Sequence, residues 1–125
     1  MSIHYDAILC VLKNYYDGLY HCDTQLLETV FHPNAHYNTT SGGEHISYDM
    51  PDYMAQIRTR TPPANMGDVY GCSVSNISIA GDDTAVATLR CTMMGKHFTD
   101  FLSLIRTQSG WQIIAKVFHF DLKDD

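Results

Sequence analysis

The chain has 125 residues, a length that predicts one domain over residues 1–125 with a single hydrophobic core. Eight Lys and Arg residues against 14 Asp and Glu residues give a net charge of −6 without any basic cluster, so we expect no nucleic-acid and no membrane-surface binding. No apolar stretch approaches the ~18 residues of a membrane-spanning helix, and the first residues lack a signal-peptide pattern, so the expected location is cytoplasmic.

The first half of the chain predicts three helices. Apolar residues recur every three or four positions over roughly residues 4–20, which is typical of an amphipathic helix. Asp23 is placed to cap a short second helix, and Pro33 prevents that helix from continuing far. After an extended segment over residues 35–40, Asp49 is placed to cap a third helix.

The second half of the chain predicts an antiparallel meander. After Met66 the apolar pattern changes from a period of about 3.6 to a period of 2, and β-branched and aromatic residues become frequent. Short turns rich in Gly, Asp and Ser separate four predicted strands, which cover residues 69–80, 84–94, 97–107 and 111–122. Helices followed by a sheet indicate an α+β fold in which the helices cover one face of the sheet.

Several motifs resemble one known superfamily. Tyr15 lies eight residues before Asp23, and the segment Phe-His-Pro-Asn-Ala at 31–35 forms the end of the second predicted helix. Two strand segments, Thr-Asp-Phe-Leu-Ser-Leu at 99–104 and Gly-Trp-Gln-Ile at 110–113, complete the pattern. Together they resemble the nuclear transport factor 2-like superfamily, and most closely its putative lumazine-binding or SnoaL-like branch.

The resemblance implies a fold and a class of site. Members of this superfamily pack three N-terminal helices in a strongly curved antiparallel sheet, a cone-shaped α+β roll that is also called cystatin-like. The cone leaves a mostly apolar pocket, which is the default site for a small molecule. Members commonly form a homodimer through the convex face of the sheet. The superfamily includes isomerases, dehydratases and cyclases as well as non-catalytic modules, so the fold alone does not assign an activity.

The similarity to ketosteroid-isomerase-like members implies roles for three residues. Tyr15 falls where those enzymes keep a tyrosine that donates a hydrogen bond to an oxyanion. The position of their general base is Thr39, and threonine cannot abstract a carbon-bound proton near neutral pH, which disfavours ketosteroid-type isomerisation. Asp100 lies near their second acidic position and is our first candidate for proton transfer.

The predicted register places Asp100 on the inner face of the sheet. A two-residue turn at Gly95-Lys96 would put Asp100 opposite Cys91 and Leu102 opposite Leu89. Asp100 would then have apolar neighbours, an environment suited to acid–base work. The alternative is a carboxylate at the pocket mouth that is paired with Lys or with backbone donors.

The last strand supplies a histidine candidate. Alternation puts His119 on one face together with Trp111 and Val117, and the resemblance implies that this face points into the pocket. An imidazole there suits proton transfer, although a solvated histidine at a strand end is the alternative reading. Phe118 and Phe120 would be exposed on the other face of a monomer, which favours the homodimer.

The sequence predicts a small-molecule-binding pocket protein that uses no metal and no cofactor. The predicted catalytic residues are Tyr15, Asp100 and His119. The predicted residues of the ligand-binding wall share inward-facing positions and are Tyr37, Thr39, Tyr53, Leu89, Phe98, Leu102, Trp111 and Val117. The expected ligand is apolar or aromatic. Two functions remain open, a cofactor-free lyase or isomerase acting on a carbonyl compound and a non-catalytic dimeric binding or interaction module.

Overall fold

The computed structural model describes residues 3–123, so the outermost residues of the domain predicted over 1–125 lie outside the described residues. Three α-helices, a 3-10 helix and six strands follow one another within these described residues. In order they are α1 (Ile3–His21), α2 (Thr24–Val30), β1 (Phe31–Thr39), β2 (Ile46–Asp49), α3 (Met50–Arg58), the 3-10 helix (Pro63–Met66), β3 (Cys72–Ala80), β4 (Thr84–Met93), β5 (Lys96–Thr107) and β6 (Gly110–Leu122).

Helices α2 and α3 begin at the capping residues that the sequence predicts. The Asp23 side chain accepts a hydrogen bond from the Leu26 backbone N–H, and the Asp49 side chain accepts one from the Asp52 backbone N–H. Both caps satisfy a backbone donor that the first helical turn leaves without a partner. The buried face of α1 carries the predicted apolar stripe, and α2 stops at Val30, where β1 begins.

Helices α1 and α2 pack closely at Gly18. A Cβ atom on Gly18 would lie 2.6 Å from both Cγ and Cδ2 of Leu27, and Leu27 is completely buried. Glycine is therefore needed at this position for the close approach of the two helices rather than for an unusual backbone angle.

We expect Gly18→Ala to destabilise the fold, although alanine normally favours a helix over glycine by about 1 kcal/mol. The overpacking against Leu27 costs about 1–3 kcal/mol, so the expected net loss in the free energy of unfolding is up to about 2 kcal/mol, measured by urea denaturation. Cys10→Ala, at an exposed position of the same helix, is the control and should change the stability by less than about 0.5 kcal/mol. A Gly18→Ala protein that is more stable than the wild type would contradict the packing argument.

All six strands form one sheet in the order β2-β1-β6-β5-β4-β3. The predicted meander β3–β6 is antiparallel throughout, and β1 adds to β6 in parallel, so the sheet is mixed rather than purely antiparallel. The parallel pair joins segments distant in the chain, which is why alternation within single strands did not predict it.

The β4–β5 turn differs by one residue from the prediction. Met93 pairs with Lys96, and the two turn residues are Met94 and Gly95, which have φ angles of 54° and 72°. Two positive φ angles are the geometry of a type I′ hairpin. Asp100 consequently lies opposite Leu89 instead of Cys91. Because the observed pairing differs from the predicted one by two residues, the side chains of β5 that were predicted to face inward still do so.

An irregularity in the β5–β6 register changes which side chains of β6 face inward. Ser103 pairs with Ala115 and Leu104 pairs with Ile113, so Ile114 is an extra residue on β6. A bulge of this kind reverses the alternation beyond it. Trp111 and Ile113 before the bulge are buried, and after the bulge the buried residues are Lys116 and Phe118.

Candidate functional site

A cavity of about 190 Å³ lies between the inner face of the sheet and the helical layer. Engineered apolar cavities of ~150 Å³ bind benzene, so this volume suits a ligand of one or two rings. Its lining combines aromatic and sulfur-containing side chains with a few polar groups: Leu19, Tyr37, Thr39, Gly42, Ile46, Tyr53, Arg60, Cys91, Met93, Met94, Lys96, Phe98, Asp100, Lys116, Phe118 and Phe120.

Asp100 is a buried carboxylate with only one of its oxygens engaged. Its side chain lines the cavity, and the residue is 3% exposed. Oδ2 accepts a hydrogen bond of 2.6 Å from the Tyr15 hydroxyl, whereas Oδ1 is buried without a partner among the described residues. Leaving a buried acceptor unsatisfied costs about 1–3 kcal/mol, so a ligand that donates to Oδ1 would recover this energy.

Tyr15 remains a neutral phenol in this environment. Its complete burial, followed by the proximity of the Asp100 carboxylate, raises the pKa of Tyr15 well above its usual value of 10.0. The hydroxyl proton is directed to Asp100, so Tyr15 fixes the orientation of the carboxylate instead of donating to a ligand.

We expect the raised pKa of Tyr15 to make folding sensitive to alkaline pH. Below pH 10 the phenol is neutral in both the folded and the unfolded chain, and above pH 10 only the unfolded chain releases the proton. The stability advantage of the wild type over Tyr15→Phe should therefore decrease above pH 10, by up to about 1.4 kcal/mol per pH unit. Urea denaturation of both proteins at pH 8, 10 and 11 measures this decrease in the stability difference. Tyr5→Phe, at an exposed tyrosine, is the control, and parallel profiles for wild type and Tyr15→Phe would contradict the expectation.

Lys116 is a buried cation inside an aromatic cage. The residue is 5% exposed, and Nζ donates a hydrogen bond of 3.2 Å to the Tyr53 hydroxyl. The Nζ atom lies 4.9–5.5 Å from the centroids of four rings, those of Tyr15, Tyr37, Tyr53 and Phe118. Cation–π attraction of this kind offsets part of the cost of burying an ammonium group.

The ammonium form of Lys116 is retained at neutral pH. Burial by itself lowers the pKa of Lys116, but the interactions with Tyr53, Asp100 and Tyr37 outweigh burial and raise it above the usual value of 10.5. Tyr53 accepts one of the three ammonium hydrogens. Lys116 is therefore a charged hydrogen-bond donor in the wall of the cavity.

Asp100 and Lys116 carry opposite charges but leave space between them. Asp100 pairs with Phe118 and Leu102 pairs with Lys116, so the two charged residues are diagonal neighbours on β5 and β6, with backbones about 7–8 Å apart. The described residues contain no ion pair between them. This arrangement can hold a polar ligand group that donates to the carboxylate and accepts from the ammonium.

The comparisons with known proteins agree with this architecture. A family model described as putative lumazine-binding matches residues 4–119. The chain belongs to the putative lumazine-binding family. No curated protein matches.

Solved structures similar to this lumazine-binding family member place it in the nuclear transport factor 2-like fold. A protein of unknown function from Silicibacter pomeroyi DSS-3, described as nuclear transport factor 2-like, is 22% identical, with 97% of this chain and 100% of that chain covered and a TM-score of 0.85. A similarly described protein from Shewanella baltica OS155 is 22% identical, with 94% and 93% covered and a TM-score of 0.80. A cystatin-like fold protein from Burkholderia xenovorans LB400 is 13% identical, with 97% and 94% covered and a TM-score of 0.71.

The cavity of this family member brings together five of the predicted site residues, namely Tyr37, Thr39, Tyr53, Phe98 and Asp100, and Tyr15 reaches it through its contact with Asp100. Leu89 and Leu102 face inward but are fully buried in the core and do not line the cavity. Trp111 is buried near the start of β6, where Nε1 donates to His4 Nδ1 at 3.4 Å.

The predicted orientation of Val117 and His119 was wrong. Both residues follow the bulge at Ile114 and are exposed on the outer face of the sheet. His119 contacts Ser41 through Nδ1 and Asp121 through Nε2, each at 3.0 Å. A side chain on this face cannot exchange a proton with a ligand in the cavity.

The same bulge explains the residues that the sequence did not predict. Phe118 and Phe120 were assigned to the outer face, and the same alternation places Lys116 there, whereas all three line the cavity. The supposed exposure of the two phenylalanines therefore no longer supports a homodimer. A signal in the sequence could have identified them, because after residue 115 the large aromatic residues Phe118 and Phe120 alternate with Val117 and His119. Large aromatic side chains are the ones expected inside, which conflicts with the alternation before the bulge.

Thr39 supports the structure of the site. Its hydroxyl donates to the Phe118 carbonyl at 2.8 Å and accepts from the Ser41 backbone N–H at 3.2 Å. Both contacts tie the end of β1 to β6 and to the loop that follows β1. Thr39 therefore has a structural role in the wall of the cavity.

Residues 3–123 contain neither a metal-binding cluster nor a membrane-spanning helix. No group of three or more His, Cys, Asp or Glu side chains in this range is placed to hold a metal ion. No helix in the same range is long and apolar enough to cross a membrane.

Proposed function

We propose that this protein binds a small, partly apolar carbonyl compound in the cavity and transfers a proton within it without a cofactor, as a lyase or isomerase. The observation that carries the proposal is the buried Asp100 carboxylate, with one oxygen held by Tyr15 and the other without a partner. Buried, oriented carboxylates in a cavity are typical of general bases.

The proposed chemistry assigns one role to each charged residue. Asp100 Oδ1 takes a proton from the carbon next to the carbonyl, so that a C–H bond breaks and an O–H bond forms. The electron pair moves to the carbonyl oxygen, where the Lys116 ammonium stabilises the negative charge. Return of the proton to another carbon of a conjugated enolate completes an isomerisation. In an elimination, the β-substituent leaves with its bonding electron pair and takes up the proton from Asp100. Tyr15 acts as a positioning residue for Asp100.

Hydrogen–deuterium exchange tests this proposal directly. We expect small cyclic ketones such as 2-tetralone to bind and to raise the unfolding temperature of the protein. We also expect the protein to accelerate the exchange of the α-hydrogens of these ketones in D₂O, which ¹H NMR follows. Stabilisation without exchange would contradict the enzymatic role and favour the non-catalytic binding module. A panel of such ketones that gives neither effect would contradict ligand binding as well.

We also propose that two copies associate through the outer face of the sheet. Phe101 and Val117 are register partners on β5 and β6, and they are 55% and 50% exposed. Val86, on the neighbouring β4, extends this outer apolar patch. Burial of such a patch favours association.

We expect Phe101→Asp to convert the proposed homodimer into a monomer, because it places a charge in the centre of the outer apolar patch. Sedimentation equilibrium should show the mass falling by half. Val69→Asp, which changes an exposed apolar residue outside the sheet, is the control and should leave the mass unchanged. A wild type that sediments as a monomer at all concentrations would contradict the association.

A further inference from the structure

The cavity differs in charge from the rest of the protein. The whole chain has 8 basic and 14 acidic residues and a net charge of −6. Three of the basic residues, Arg60, Lys96 and Lys116, line the cavity, and Asp100 is the acidic residue in its lining. The lining therefore carries a net positive charge inside an acidic protein, and a cleft of one sign focuses the field on a ligand of the opposite sign.

Two of the three cations are partly exposed to solvent, and we call the part of the cavity that they line its mouth. Arg60 and Lys96 are half-buried, whereas Asp100 and Lys116 are fully buried deeper in the cavity. Lys96 shares the inner face of β5 with Asp100, and the four-residue step from one to the other spans about 13 Å of strand. A lysine side chain covers part of this distance, which leaves room for one or two rings.

Neither mouth cation is neutralised by a neighbouring carboxylate. Within residues 3–123 the recorded ion pairs join other residues, and Lys96 Nζ lies 4.9 Å from the centroid of the Phe120 ring. In contrast, the positive charge of Lys116 is offset by the negative charge of the buried Asp100. The positive charge at the mouth is thus available to a ligand, with apolar residues such as Phe98 and Met94 beside it.

We propose that the ligand is an organic acid whose ring lies in the cavity and whose carboxylate lies at the mouth between Arg60 and Lys96. This inference rests on the proposed function, since it concerns the ligand of the same cavity. A guanidinium and an ammonium group bind a carboxylate through charge-assisted hydrogen bonds. The reacting carbonyl would then point inward to Asp100 and Lys116, so the mouth cations also set the direction in which the ligand enters.

The test compares two probes of nearly the same shape, 2-naphthoate and the neutral 2-naphthamide, by titration calorimetry. We expect the wild type to bind 2-naphthoate at least tenfold more tightly than 2-naphthamide. The double variant Arg60→Gln/Lys96→Gln should lose this preference while its Kd for 2-naphthamide stays the same. Arg58→Gln, an exposed arginine of α3 outside the cavity lining, should keep the wild-type preference, and Arg60→Lys should keep most of it.

The possible outcomes separate this inference from the proposed function. Equal affinity of the wild type for both probes, or an unchanged preference in the double variant, overturns the organic-acid inference and leaves the proposed function standing. A double variant that binds neither probe while its unfolding temperature is unchanged also overturns the inference that Arg60 and Lys96 select the ligand by its charge. Failure of the wild type to bind either probe also overturns the organic-acid inference, whereas the proposed function is decided separately by the binding and exchange of 2-tetralone.

Discussion

Replacement of Asp100 by asparagine is expected to lower the rate of α-proton exchange by a factor of about 10²–10⁴. The amide has nearly the shape of the carboxylate and can still accept the hydrogen bond from Tyr15, but it cannot take a proton from carbon at neutral pH. Ligand affinity should change much less than the rate, since the cavity wall is otherwise intact. Exchange of 2-tetralone α-hydrogens, measured by NMR, provides the rate.

The matched control for Asp100→Asn is Asp121→Asn. Asp121 is an exposed carboxylate near the end of β6, where it contacts His119 on the outer face. This variant should exchange at the wild-type rate. Exchange at the wild-type rate in Asp100→Asn, with ligand binding retained, would show that the buried carboxylate is not the base.

Replacement of Lys116 by methionine is expected to reduce the exchange rate by about 10²–10³, the loss typical when one donor to a developing oxyanion is removed. Methionine is similar in length and packs favourably against aromatic rings, so it should fill the cage formed by Tyr15, Tyr37, Tyr53 and Phe118. The rate with a neutral ketone should fall more than its affinity, because the charge of the ligand oxygen develops only during the reaction.

Lys96→Met is the control for Lys116→Met. It removes a cation from the mouth of the same cavity but leaves Asp100 and Lys116 in place. Exchange of the neutral 2-tetralone should be unaffected by this change, and near-ultraviolet circular dichroism should show native packing in both variants. Equal rates in wild type and Lys116→Met would exclude the ammonium as the oxyanion donor.

The elements of this fold were predictable where short-range chemistry determines them. Asp23 and Asp49 cap α2 and α3 because their carboxylates satisfy backbone donors only a few residues away. Asp100 was correctly assigned to the inner face because the alternation along β5 is uninterrupted from Phe98 to Leu102. Even the error in the β4–β5 turn left this face unchanged, since the pairing moved by two residues.

The hairpin shows why the sequence rules chose the wrong turn. A type I′ turn requires two residues with positive φ, which glycine adopts without strain and a residue such as methionine rarely does. Gly95 was recognised as a turn residue, but Met94 was not, and its φ angle of 54° is imposed by the pairing of Met93 with Lys96. Tertiary pairing therefore outweighed the local preference.

The sequence by itself determined the α+β class, the order of the helices and the meander, and the inward position of Asp100. The tertiary structure decided the cavity's second charged group, because one extra residue at Ile114 turned Lys116 inward and His119 outward. Apolar residues occupy both faces of β6, so alternation could not locate the bulge. Its position follows from how β6 fits between β5 and the parallel β1, a pairing of distant segments that no local pattern encodes.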